Sequence, residues 1–269
     1  VWVINPIIVT FVFVLGSCIG SFLNVVVYRI PAGKSIVSPP SACPHCHHRL
    51  GVSENIPIFG WLWLKGRCRH CYASISVRYP LVEGMTGLLF LLCFKIFGFS
   101  GYTLGYWALL SWLLALALID WDTMTLPNPL TQSGLVAGLV FQTLMGMGTS
   151  PVMIGMVQGL MGGVVGAVLG LWLLEVFGFV TSQLLGRQAM GGGDIKLAAM
   201  IGAWLSWHGL VLTIFLAAAI GTLIGFWAMA AGWLQRRQQF PFGPFLAMAA
   251  LCSAFWGDYL WSWYLALIF

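Results

Sequence analysis

The chain has 269 residues, of which 60% are hydrophobic and only 7% charged, with a mean hydropathy of +0.93 and a formal net charge of +5. Soluble domains carry about 25% charged residues, so this composition excludes a soluble globular protein and points to a polytopic helical membrane protein. The positive charge is no nucleic-acid signal, because the distribution of Lys and Arg among a few loops accounts for it.

An apolar run of roughly 20 residues crosses the hydrocarbon core. About eight such transmembrane helices are predicted, at 6–28, 80–97, 104–119, 130–147, 152–178, 195–207, 210–232 and 244–268. The predicted fold is therefore all-α, with a small cytoplasmic metal-knuckle loop domain between helices 1 and 2. It divides into a first transmembrane helix (1–28), a Cys-rich loop (29–79) and a helical core (80–269). The first run has the length of a span, contains Asn24 and lacks a small-residue cleavage site, so it is expected to stay in place as a membrane helix. Glycine, at 33 residues, is assigned mainly to close helix packing, above all along 155–170.

Orientation follows from Lys and Arg, which concentrate in cytoplasmic loops. Arg29, Lys34, Arg49, Lys65, Arg67, Arg69 and Arg78 lie between the first two spans. Arg187, Lys196, Arg236 and Arg237 fall in loops that an eight-span chain places on the same side, while Lys95 lies opposite, where its amine can snorkel. Both ends of the chain are then outside and the polar loops face the cytoplasm, where basic residues attract anionic lipid.

The loop 29–79 contains Cys43-Pro44-His45-Cys46 and Cys68-Arg69-His70-Cys71, two C-x-x-C knuckles separated by 21 residues. Each knuckle sets two thiolates on one turn, and two together close a tetrahedral structural zinc site in a segment too small to build a core. His45, His47, His48 and His70 share the loop, so a mixed ligand set stays open, as do paired disulfides, which a reducing cytoplasm disfavours, and a knuckle without metal. Cys18, Cys93 and Cys252 fall within spans as small apolar residues.

Carboxylates at membrane depth are costly and mark function. Asp120 ends the apolar run that precedes Leu126-Pro127-Asn128, with Asp122 two residues on, and Asp194 closes Gly191-Gly192-Gly193-Asp194. The glycines permit positive φ and close approach. Asp120 and Asp194 both sit at cytoplasmic ends of their spans, so packing can bring them to one depth. Two facing carboxylates share a proton, one serving as base on a water and the other as acid toward a carbonyl, which is aspartic-protease chemistry. Lys196 would favour the ionised form if turned inward. Two other uses remain: interfacial caps or ion pairs, and a proton relay in a transporter, for which inverted repeats would be expected and none is visible. A non-catalytic assembly factor would need the Cys loop but not both acids. Glu83 lies near the start of the second span, where the helix dipole favours an acid, either as a structural group or in contact with substrate or methyl donor. Asn24 and Arg29 are expected to orient the first helix or hold a backbone or phosphate group, Glu175 to be an interfacial acid, and His208 beside Trp207 to belong to an aromatic belt.

These motifs, in this order, resemble the bacterial type IV prepilin peptidases, intramembrane aspartyl proteases with a G-x-G-D motif. Gly20-Ser21-Phe22-Leu23-Asn24-Val25-Val26-Val27-Tyr28-Arg29 is similar to the family's opening signature. The two knuckles follow, then Arg78-Tyr79-Pro80-Leu81-Val82-Glu83, then Asp120 with Leu126-Pro127-Asn128, then Gly191-Gly192-Gly193-Asp194-Ile195-Lys196-Leu197. The resemblance implies an inner-membrane enzyme with Asp120 and Asp194 as the catalytic pair. It would remove the basic leader of prepilins and type II secretion pseudopilins on the cytoplasmic side, then N-methylate the new terminus from S-adenosyl-L-methionine. The spacing to Leu126 selects Asp120 over Asp122, since residues two apart on a helix point about 200° apart. No G-x-G-x-x-G fingerprint follows a predicted strand, so no soluble methyltransferase fold is indicated. Where relatives carry an acid near Gln188, this chain reads Arg187-Gln188-Ala189-Met190.

Overall fold

A computed structural model describes residues 5–186, 190–232 and 240–268. Arg187, Gln188, Arg236 and Arg237, used above for orientation and motif comparison, lie outside the described residues. Among those described there are helices and no strand. The helices are α1 (Pro6–Arg29), a short α2 (Phe59–Trp63), α3 (Arg78–Phe97), α4 (Gly101–Thr123), α5 (Asn128–Gly146), α6 (Val152–Leu185), α7 (Gly192–Ala230) and α8 (Gly243–Ile268). Five of them, α1, α3, α4, α6 and α7, are long and apolar enough to cross a membrane. Each of the eight predicted spans falls on a helix, overrunning its ends by at most two residues, and two of them share α7. The chain forms two compact units, residues 1–111 and 112–269.

In the first unit, α1 begins at Asn5, whose Oδ1 accepts the Ile7 N–H at 3.0 Å, satisfying one of the amides a helix start leaves unpaired. α1 packs against α3, and its small residues set the register. A Cβ on Gly16 would lie 2.8 Å from the Gly87 Cα, and one on Gly20 would lie 2.8 Å from the Glu83 Cα. One turn further, the Asn24 side-chain amide donates to the Tyr79 carbonyl at 3.2 Å. Residue numbers climb by four on one helix as they fall by four on the other, which is an antiparallel pair joined by a small-residue stripe. Asn24 is thus a fastener between the two helices. Arg29 donates to the Ser35 carbonyl at 3.1 Å and the Pro39 carbonyl at 2.6 Å, fixing the exit of the loop.

In the second unit the same device recurs. A Cβ on Gly162 would meet the Ser206 Oγ at 3.1 Å, one on Gly166 would collide with the Gly202 carbonyl, and one on Gly170 would lie 2.6 Å from the Ala198 carbonyl. α6 therefore runs antiparallel to the first half of α7. Gly155 against Gly146 and Gly159 against Gln142 make α5 and α6 a second antiparallel pair. The glycines of 155–170 are packing residues, as expected.

α7 is not one straight rod. At 39 residues it would be about 58 Å long, nearly twice the hydrocarbon thickness. It breaks at Ser206, with φ 57° and ψ −175°. Beyond the break, Ser253 Oγ donates to the Gly209 carbonyl at 2.9 Å and Gly221 lies beside Phe242 and Phe245, so α8 runs antiparallel to 207–230. The chain thus turns back at Ser206, close to the predicted division between spans. The carbonyl freed at the break is satisfied from α5: Gln142 Nε2 donates to the Trp204 carbonyl at 2.7 Å and to Ser206 Oγ at 3.0 Å. α6 departs from expectation at its end, continuing seven residues past 178 to Leu185. The α6–α7 register places exposed Glu175 level with Gly193.

Candidate active site and metal knuckle

The ends of four helices of the second unit meet at one point: the end of α4 and the starts of α5, α7 and α8. Asp120 lies one turn before the end of α4 and is 5% exposed. Its Oδ2 accepts the Gly243 N–H at 3.0 Å, at the first residue of α8. A Cβ on Gly243 would sit 2.7 Å from that oxygen, so only glycine brings the backbone donor so close. This donor was missed in the sequence, where the short Pro241-Phe242-Gly243-Pro244 turn before an apolar run was the available signal. α4 then stops: Met124 takes positive φ (53°), and Leu126-Pro127 leads into α5, whose second residue is Pro129.

Asp194 occupies the first turn of α7, where unpaired amides favour a carboxylate. It is half-buried and lies within electrostatic range of Asp120. The glycine triplet does not supply the positive φ expected of it, because all three residues keep negative φ. Its use is steric, since a Cβ on Gly193 would lie 3.0 Å from the Leu126 Cβ. The Gly-Asp segment is thereby seated on the turn that ends α4. Lys196 does not face inward toward Asp194. Its Nζ donates to the Asn128 Oδ1 at 2.7 Å, tying the start of α7 to the start of α5. Asp122 is exposed on the far side of α4 from Asp120, as helix geometry demands. His208 stacks on Trp207 at 3.5 Å, beyond the break and at the other end of the unit from Asp194.

In the first unit, the Sγ atoms of Cys43, Cys46, Cys68 and Cys71 all lie within 4.8 Å of one another. Cys43 to Cys71 is 3.7 Å and Cys46 to Cys68 is 3.9 Å. A tetrahedral zinc with Zn–S of about 2.3 Å has S···S edges of about 3.8 Å, so the donor set fits that ion. The same distances are far longer than a disulfide of about 2.05 Å. The two knuckles are built alike. Cys43 N–H donates to the His48 carbonyl and Cys68 N–H to the Ala73 carbonyl, each at 2.9 Å, and the residues four past each first cysteine, His47 and Tyr72, both take φ 56°. No histidine joins the group among the described residues. The backbone N–H of Cys46, against the raising effect of desolvation, lowers the Cys43 thiol to about 6. For Cys46 the N–H of His48 lowers the pKa, but desolvation and the neighbouring sulfurs outweigh it and push the thiol up to about 11. One thiolate forms readily and suppresses the next until a cation takes up the charge.

Glu83 is buried in α3, and its Oε2 accepts the Ile58 N–H at 2.7 Å. That bond ties the loop to the span.

The architecture defines a polytopic helical membrane protein with a carboxylate pair at one end of a helical unit and a four-thiol knuckle between its first long helices. Comparison with known proteins gives this class a family. Residues 14–97 match the Bacterial Peptidase A24 N-terminal domain and residues 107–226 the Type IV leader peptidase family. The chain is 37% identical to the prepilin leader peptidase/N-methyltransferase of Aeromonas hydrophila, over 94% of this chain and 92% of that protein. It is 39% identical to the protein of that name from Stutzerimonas stutzeri, over 94% and 92%. With the one from Myxococcus xanthus it shares 42% over 82% of this chain and 63% of that longer protein. No solved structure matches. The chain belongs to the type IV leader peptidase family. Family membership favours hydrolysis over the proton-transport reading of the two acids.

Proposed function

We propose that this protein cleaves the short basic leader of type IV prepilins and type II secretion pseudopilins at the cytoplasmic edge of the bacterial inner membrane, with Asp120 and Asp194 as the acid–base pair. It then methylates the new terminal amine with S-adenosyl-L-methionine as donor. The observation that carries the reading is the convergence of Asp120 on α4 and Asp194 on α7 at one end of the unit, with Gly243 N–H bonded to one oxygen of Asp120.

The ionised carboxylate takes a proton from water as its oxygen attacks the scissile carbonyl carbon. The protonated partner donates to the carbonyl oxygen, giving a neutral gem-diol. The reverse transfers collapse it, protonating the leaving amine. A Gly243 N–H fixed on one Asp120 oxygen leaves the other to face water and substrate. The helix start at Asp194 provides aligned N–H dipoles where negative charge must be held. A prepilin fits this position, because its apolar helix lies in the bilayer while its basic leader stays in the cytoplasm, leaving the scissile bond at the boundary.

Residues 29–79 are assigned to the methyl-transfer half, with zinc held by Cys43, Cys46, Cys68 and Cys71 as its structural metal, and 80–269 to the peptidase core. Zinc, when bound, locks the two knuckles together. The test uses purified protein and a synthetic prepilin: Asp120→Asn and Asp194→Asn should each slow cleavage by at least ~10²-fold. Wild-type cleavage by either variant overturns the assignment. Methyl transfer to an already cleaved peptide, measured with Cys43→Ser, separates the second activity.

A further inference from the structure

The loop that carries the four cysteines also carries an uncovered apolar face. Over eight residues, Ile56 is 47% exposed, Phe59 68%, Leu62 56% and Trp63 88%. Single exposed apolar residues are ordinary, but a cluster of this size outside the spans is a patch that needs a partner. The opposite side of α2 is already committed. Trp61 Nε1 donates to the Ile75 carbonyl at 3.0 Å, and a Cβ on Gly66 would lie 2.7 Å from its ring.

The height of this face is set by Glu83. The residue before α2, Ile58, holds φ 64° and ψ −55°, a conformation a β-branched residue rarely adopts. It is kept there by its N–H bond to Glu83 Oε2, while its Cδ1 lies 3.8 Å from where a Gly84 Cβ would be. Glu83 is five residues into α3, about 7.5 Å along the axis from Arg78. α2 therefore starts beside the first turns of a membrane span, at the level of the bilayer interface. Tryptophan favours that level. Immediately after α2 come Lys65, Arg67 and Arg69, all exposed, and Glu54 is the only acid between residues 29 and 79. Arg69 has no hydrogen bond or ion pair among the described residues. It lines a cleft of about 380 Å³ with Glu54, Ile56, Phe59 and Trp63.

We propose that α2 and the cations after it are a membrane-surface anchor: Phe59, Leu62 and Trp63 enter the interface of the adjoining leaflet, and Lys65, Arg67 and Arg69 meet anionic lipid phosphates. The cysteine knuckle is thereby held flat against the bilayer, with Glu83 and Ile58 as the fixed point. The anchor stands whether or not the chain methylates its substrate.

The test uses the full chain in nanodiscs of phosphatidylcholine with or without phosphatidylglycerol. Subtracting the emission of Trp63→Phe from that of the wild type isolates Trp63. Its signal should be quenched by lipid brominated near the headgroup end of the acyl chain and shielded from acrylamide, with the shielding reduced when phosphatidylglycerol is left out. A double variant, Phe59→Ser with Leu62→Ser, should lose the shielding while keeping the metal content of the wild type, which reports that the knuckle is still folded. Trp63 open to acrylamide and untouched by brominated lipid overturns the proposal. So does shielding that appears only when S-adenosylmethionine is added, which would make the cleft a small-molecule site.

Discussion

At the residue scale, the second unit separates two acids that are neighbours in sequence. Asp120 is buried and bonded to a backbone amide, whereas Asp122 is exposed. Asp122→Asn is expected to leave the cleavage rate within about twofold, because the side chain lies on the opposite face of α4 from Asp120. The glycine that supplies the amide matters more. In Gly243→Ala the new methyl would press on Asp120 Oδ2, and displacing a reacting group by about 1 Å costs on the order of 10²-fold. Leader cleavage by Gly243→Ala should fall by that order, while methylation of a precleaved peptide is retained. Equal loss of both activities would instead indicate general misfolding. Lys196 illustrates what spacing alone does not tell. Two residues from Asp194 on a helix, it points away from the acid and bonds to Asn128, because helical neighbours at that separation face opposite sides.

Among the elements, α7 depends on a partner for its integrity. Its break leaves the Trp204 carbonyl without an intrahelical donor inside an apolar unit, and Gln142 of α5 provides one. Gln142→Ala should lower stability by about 1–3 kcal/mol, the cost of an unsatisfied buried polar group, read as a lower thermal midpoint in detergent or nanodiscs. Gln142→Met, which keeps the length but has no donor, should not rescue it. Along the α6–α7 stripe, Gly166→Leu has no space against the Gly202 carbonyl and should prevent stable packing, read as loss of monodisperse protein. In the first unit the proposed metal site, rather than a core, would hold the knuckle together. Chelation should therefore make 29–79 protease-sensitive while α1 and α3 remain paired, their register being set by Gly16, Gly20 and Asn24.

For the whole molecule, the proposed orientation rests on Lys and Arg, which concentrate in cytoplasmic loops. With chelator present, protease should cut within 29–79 in inverted inner-membrane vesicles and not in intact spheroplasts; the reverse result would invert the topology. Much of the architecture was legible in the sequence, because a membrane span must be apolar, long enough and helical to satisfy its own backbone, and these demands are written in composition. The paired knuckles were equally legible, since ligand type and spacing define a tetrahedral thiolate site. The two acids stood out because charge is expensive at membrane depth. What only the tertiary structure decided was every relation between segments far apart in the chain: Gly243 on Asp120, Gly193 on Leu126, Gln142 across the break in α7, and Glu83 on Ile58. A backbone amide, a missing side chain and a freed carbonyl have no sequence signature of their own. They acquire a partner only when packing brings a second helix to within hydrogen-bond or van der Waals distance, and that distance is a property of the folded chain.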